Sequence, residues 1–323
     1  MAELAGVIYT SHAWVNRPSR EWAEERAIRH HRADVPPEDA EEMAAKSKRM
    51  LAASATLRDK LESFDPDLLV IFGDDQYECF HFDNFPSIAV YLGATFEGRS
   101  GAGHSVATGH PEFATAILTG LMARGFDPAF SMGLPNPARG MSHAIMNPLT
   151  YYDAFSIPTV PLLLNAYYAP QASARRHYEV GRAVREIIES HPSSERVVVI
   201  GSGGLWHTPR REGAYLNEEF DLTGLGYLQR GEIAAWAEFF DGYRVPFDDT
   251  SQGLLTDVAA SEMRTGDHLT HLPGRGGPQN GTRETCNWIG AAGVVDGRPS
   301  VLVDYVPVYA APIGVAFAYC DEV

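Results

Sequence analysis

Three short apolar runs break abruptly into polar residues, and that recurrence constrains the fold more than any other feature of the chain. Leu4 to Tyr9 runs into Thr10-Ser11-His12; Leu68 to Phe72 into Gly73-Asp74-Asp75-Gln76; and Arg196-Val197-Val198-Val199-Ile200 into Gly201-Ser202-Gly203-Gly204-Leu205-Trp206-His207. Apolar runs of this length, bounded by turn-forming residues, read as buried strands. Between them lie stretches of helical composition. Residues 37 to 64 are rich in Ala, Glu, Lys and Leu with acidic residues at the start, and Ala172 to Ser190 forms a second helical stretch. Pro111 to Gly125 has Pro near its start and Gly at its end, as helices prefer. Glu232 to Phe240 and Leu254 to Met263 read as shorter helices, and Val301 to Ala318 as one or two terminal strands. Helices alternating with strands predict an α/β fold: a central sheet, mostly parallel or mixed, flanked by helices. In such sheets ligands bind outside the strand ends, which turns attention to the polar loops. With no repeat, low-complexity tract or linker, residues 1–323 are expected to form a single catalytic domain with long active-site loops, the Gly-containing segment Arg99 to His110 being the expected lid.

Charge and cysteine usage remove several classes of function. Forty-two acidic against 26 basic residues give a net charge of -16, which repels nucleic acid and anionic membranes. No stretch reaches the roughly 18 apolar residues of a membrane span. The apolar run at the N-terminus lacks the basic region of a targeting signal. The three cysteines have neither zinc-ligand nor redox spacing, and a reducing cytoplasm is expected.

Of twelve histidines, His12 and His207 follow predicted strands, where loops from different strands converge on one mouth; His143 and His81 also stand in contexts that packing alone does not explain. A lone His after a strand is commonly a loop hydrogen-bonder, so it is the grouping that matters. Glu284 lies in the segment 280 to 290, where a first-turn position beside the helix dipole accounts for a lone Glu. An iron(II) site, however, takes two imidazoles and one carboxylate with neighbouring positions open, and His12 and Glu284 are candidates for two of the three. The glycines at 201, 203 and 204 let backbone approach a ligand, but their spacing is not that of a nucleotide loop.

Ser11-His12, the tract GDDQYECFHFDNFP (73–86), SHAIMNPL (142–149), GSGGLWH (201–207), NGTRETCNWIG (280–290) and the YVPVYAAPIGVAF tail stand in an order that resembles the class III extradiol ring-cleavage dioxygenases. The resemblance implies an iron(II) cofactor, a small catechol-type aromatic substrate such as protocatechuate or gallate, and dioxygen as co-substrate. His12 and Glu284 would be metal ligands, His207 the acid/base, and His143 a group that orients substrate or stabilises developing charge. One position departs from the pattern: where the family has its second histidine ligand this chain has Gln76, a weaker ligand, with Asp74, Asp75 and His81 as nearby substitutes. A substrate carboxylate needs a local cation in so acidic a protein, and Arg210, Arg211, Arg275 and Arg283 are the candidates by position. A homo-oligomer is expected, and two-subunit relatives allow for a small accessory subunit. Two other readings use the same residues: a metal hydrolase with His207 as base, and a catalytically silent binding subunit that lost its metal with Gln76.

Overall fold

Asp39 starts the first long helix. Its carboxylate accepts the backbone N–H groups of Glu41 and Glu42, and the Glu42 side chain returns a bond to the Asp39 N–H, a capping box that satisfies donors the helix itself leaves open. The helix, α1 (Ala40–Phe64), ends at Asp65, whose left-handed backbone and following Pro66 stop it. The computed structural model describes all residues except 14, 16–20, 23–30, 82, 102, 167, 169–170, 209–212, 246–276 and 279. The expected helix from Leu254 to Met263 lies outside the described residues.

The strands are β1 (Glu3–Thr10), β2 (Leu68–Asp74), β3 (Ile88–Tyr91), β4 (Thr95–Ser100), β5 (Gly103–Thr108), β6 (Ala129–Ser131), β7 (Thr159–Leu164), β8 (Arg196–Ser202), β9 (Val301–Val308) and β10 (Ile313–Cys320). The further helices are α2 (Pro111–Ala123), α3 (His143–Tyr152), α4 (Ala174–Ser190), α5 (Glu218–Arg230), α6 (Ile233–Gly242) and α7 (Thr285–Gly293), the last preceded by a 3-10 turn, Asn280–Glu284. Eight strands form one mixed sheet in the order β6-β3-β7-β2-β8-β1-β10-β9. β7, β2, β8 and β1 run parallel at its centre, while β3 meets β7, and β10 meets β1 and β9, in antiparallel fashion. The sequence expectation of an α/β fold with a mixed sheet holds. The segment Arg99 to His110, expected to be a lid, forms much of an antiparallel hairpin of β4 and β5, turning at Gly101 with φ of 56°.

The central strands are apolar at nearly every position because both faces are covered. In β2, Leu68, Val70 and Phe72 pack on one side with α2, α4, α5, α6 and α7; Leu69 and Ile71 pack on the other with α1 and α3. β8 divides in the same way, Val197 and Val199 against Val198 and Ile200. Each such buried side chain stabilises the fold by about 1.5–3 kcal/mol relative to exposure. Because β2, β8 and β1 are parallel neighbours, their carboxyl ends, Asp74, Ser202 and Thr10, open on one edge of the sheet. Among the described residues, no helix is long and apolar enough to cross a membrane.

Candidate active site

The three loops that leave these strands, together with the start of α7, bring their polar side chains to one buried place. His12 is 1 % exposed, and its Nδ1 lies 3.2 Å from the Ser202 hydroxyl at the end of β8. That contact leaves Nε2 to face Glu284, whose Oε2 is 3.0 Å away. The backbone carbonyl of His12 accepts bonds from Asn147 and Tyr151 on α3, which hold the loop from the other side. Glu284, also 1 % exposed, takes the Gly204 N–H on Oε2 at 3.1 Å and meets Nε2 of His207 through Oε1 at 3.2 Å.

His207 is fixed by the turn that carries Glu284. Its backbone N–H donates to the Thr282 hydroxyl, which in turn donates to the His207 carbonyl. Its Nδ1 donates to the Leu205 carbonyl at 2.9 Å. The ring sits between two glycines: a Cβ at Gly281 would lie 2.3 Å from its Nε2, and one at Gly204 2.4 Å from its Cε1. Any side chain at either position displaces the imidazole.

The end of β2 supplies the remaining polar groups. Asp74 is fully buried, and one atom from each of His12, Asp74 and Glu284 lies within 4.8 Å of the others. Asn287 on α7 donates to Asp74 Oδ1 at 2.8 Å and ties it to the Ser202 carbonyl. The Gln76 amide nitrogen donates to Glu284 Oε1 at 2.7 Å and to Asp74 Oδ2 at 3.3 Å. Asp75 and His81 are engaged elsewhere: Asp75 caps the N–H groups of Cys79 and Phe80, while His81 bonds Asn136 and stacks on Tyr77. His143, first residue of α3, lies edge-on to the His12 ring at 4.7 Å between centroids, and its Nδ1 is held by both oxygens of Glu78 at 2.8 and 3.0 Å. Arg283 is buried and donates to the carbonyls of Ala172 and Pro278. Arg210, Arg211 and Arg275 lie outside the described residues.

The electrostatics follow from this packing. Burial raises the Glu284 carboxyl, but the imidazoles of His207 and His12 outweigh it and hold the group well below the usual carboxylate range. Asp74 moves the opposite way, pushed up by burial and by the charge of Glu284. Burial also pulls His143 down, yet Glu78 prevails and lifts it to about 10. At neutral pH His143 is therefore an imidazolium paired with the Glu78 carboxylate.

Sequence reasoning did not single out Glu78, Ser202, Asn287, Asn147 or Tyr151. Part of this set was signalled: His143, Asn147 and Tyr151 recur at i, i+4 and i+8, one face of a helix. Asn287 and Glu78 touch the site only through tertiary approach.

A family model described as the catalytic LigB subunit of aromatic ring-opening dioxygenase matches residues 30–241, more than half of the chain. The chain belongs to this family. The matched range takes in the β2 loop, α3 and the β8 loop; His12 and Glu284 lie on either side of it. Among curated relatives, a 2,3-dihydroxyphenylpropionate/2,3-dihydroxicinnamic acid 1,2-dioxygenase from Mycobacterium sp. (strain MCS) is 32% identical over 161 residues, 49% of this chain and 49% of that protein. A protein of the same name from Cupriavidus necator is 30% identical over 174 residues, 53% and 52% of the two chains. This LigB-family chain thus matches about half the length of these relatives. A solved structure, uncharacterized protein JW3007 from Escherichia coli K12, covers 98% of this chain and 99% of its own at 12% identity and a TM-score of 0.47, too distant to inform the site.

Proposed function

We propose that the chain is an iron(II)-dependent extradiol dioxygenase that opens the ring of a catechol-type aromatic with dioxygen. We take residues 1–323 as one catalytic domain working in the cytoplasm. The observation that carries this reading is the Glu284 carboxylate set between two imidazole nitrogens, His12 Nε2 on one oxygen and His207 Nε2 on the other. Membership of the LigB family and the names of the curated relatives support it.

The residues fit a divalent cation. Two carboxylates, Asp74 and Glu284, are buried in one small cluster, and a cation offsets the cost of holding both there. The Ser202 contact orients the His12 ring with Nε2 toward Glu284, as a ligating imidazole is oriented by a partner on its other nitrogen. In our reading His12 and Glu284 are ligands, and the third comes from the end of β2, where Asp74 and Gln76 both reach the cluster. Bound there, iron(II) would supply Lewis acidity toward a catecholic substrate and the redox chemistry that dioxygen requires.

The protein's own groups handle the protons. With Nδ1–H committed to the Leu205 carbonyl, His207 exchanges its proton at Nε2. It takes the proton of a substrate hydroxyl, Glu284 Oε1 accepts from the imidazolium so formed, and the proton is returned as the ring opens. His143, kept cationic by Glu78, offsets negative charge that develops on the substrate.

Anaerobic reconstitution with iron(II), followed by oxygen-uptake measurements, tests the proposal. The panel comprises protocatechuate, gallate, simple catechols and 2,3-dihydroxyphenylpropionate, the compound in the relatives' names. Uptake with at least one of these, restored by iron(II) better than by zinc, is expected. Zinc-dependent ester or amide hydrolysis without oxygen uptake overturns it in favour of a hydrolase.

A further inference from the structure

We infer that Asp74 is a direct ligand of this site, so that the cation is held by one imidazole and two carboxylates, His12, Asp74 and Glu284, while the Gln76 amide clamps the two carboxylates. The inference rests on the reading that this cluster binds a divalent cation.

The atoms facing the cluster decide between Asp74 and Gln76. Both neighbours of the Gln76 amide are carboxylate oxygens, which only accept hydrogen bonds, so its nitrogen turns toward them. An amide ligates a metal through its oxygen, and with the nitrogen turned to the two carboxylates Gln76 presents N–H donors to the cluster in that oxygen's place. Asp74 offers a carboxyl oxygen, which a bound cation would keep ionised, and its other side is anchored by Asn287, the outer support expected of a ligating carboxylate. Position explains the substitution. Asp74 and Gln76 both reach the cluster from the end of β2, so the place emptied of an imidazole at 76 is answered from 74, whereas Asp75 turns away to the Cys79 and Phe80 N–H groups.

The donor set has consequences for the ion. Two carboxylates neutralise a divalent cation fully, where two imidazoles and one carboxylate leave a unit of positive charge. Replacing imidazole by carboxylate also hardens the site, which suits manganese(II) alongside iron(II).

Manganese(II) alone is the probe, read on the full-length protein by electron paramagnetic resonance as loss of the free-ion signal. The wild-type protein is expected to bind one ion per chain. Asp74→Asn, which keeps shape and loses charge, should abolish measurable binding, whereas Gln76→Ala, losing an outer hydrogen bond, should weaken it by about 10- to 100-fold. A pulsed experiment on the manganese-loaded wild type does not depend on any variant folding: one coordinated imidazole nitrogen is expected, and two in Gln76→His. Two coordinated imidazoles in the wild type, or unchanged affinity in Asp74→Asn, overturns the inference. If manganese fails to bind while the iron-loaded protein still consumes oxygen, the donor set is wrong and the dioxygenase reading stands. One coordinated nitrogen without oxygen uptake by the iron form leaves the donor set standing and removes the dioxygenase.

Discussion

Glu78 grips His143 twice. Its two oxygens lie 2.8 and 3.0 Å from the ring Nδ1, and Oε2 also accepts the backbone N–H of His143 at 3.2 Å. The pair links the β2 loop to the first turn of α3 and fixes which nitrogen of His143 faces the site. Replacing Glu78 by Gln removes the charge and keeps the shape. Loss of about 1.5–3 kcal/mol of stability is expected near neutral pH, the usual worth of hydrogen bonds to charged groups. The pH dependence has a definite sign. His143 is raised from 6.5 to about 10, so its contribution is full below 6.5 and is lost as pH rises through about 10. Glu78 is lowered from 4.5 to about 2 by His143 against the opposing effect of burial, so its contribution is present above 4.5 and is lost as pH falls through about 2. Urea denaturation of wild type and Glu78→Gln should differ most between pH 5 and 6.5, and a constant difference up to pH 10 would contradict the assignment.

His207→Ala should retain bound metal and lose turnover by roughly 10²- to 10⁴-fold, the usual worth of a general acid/base. Gly281→Ala should mimic it without touching the histidine, because the new methyl would sit 2.3 Å from His207 Nε2. His12→Ala and Glu284→Ala should instead lose metal and activity together. Metal content and oxygen uptake on the same preparations separate the two groups, and loss of metal in His207→Ala would make it a ligand.

Asp221 is buried beneath the β8 loop, accepting the Trp206 N–H at 2.8 Å and the Tyr305 hydroxyl at 2.9 Å. Burial raises it from 3.8 to about 7. An acid raised on folding contributes stability that is full below 3.8 and is lost as pH climbs through about 7. The wild type should therefore lose on the order of 2–4 kcal/mol relative to Asp221→Asn between pH 4 and 8. Denaturant midpoints measured across that range check it; parallel curves for the two proteins would refute it.

Tyr77 has φ of 69°, a left-handed conformation uncommon for a large side chain, and lies between Gln76 and Glu78. The turn lets both neighbours reach the site, one toward Glu284 and the other toward His143. Tyr77→Val, which puts a β-branched residue there, should cost about 1–3 kcal/mol more than Tyr77→Gly, which relieves the backbone while losing the ring stacked on His81. Thermal denaturation of the two variants gives the comparison, and equal stability would mean that the backbone is not strained at this residue.

The sequence by itself determined the class of fold and the reach of the site. Apolar runs too short for helices had to be buried strands, and parallel strands end on one edge, so His12, the residues after Phe72 and His207 were bound to meet. It also carried the ordered motifs that mark the family. Tertiary structure decided what periodicity does not encode. Whether Asp74 or Asp75 faces the cluster depends on the register of β2 between β7 and β8, where a slip of one residue would reverse every side chain. The partner of His143 and the anchor of Asp74 come from segments 65 and 213 residues away in sequence, brought close only when helices settle on the sheet. Local sequence sets which groups a loop can offer; long-range packing sets which of them arrive with a lone pair facing inward.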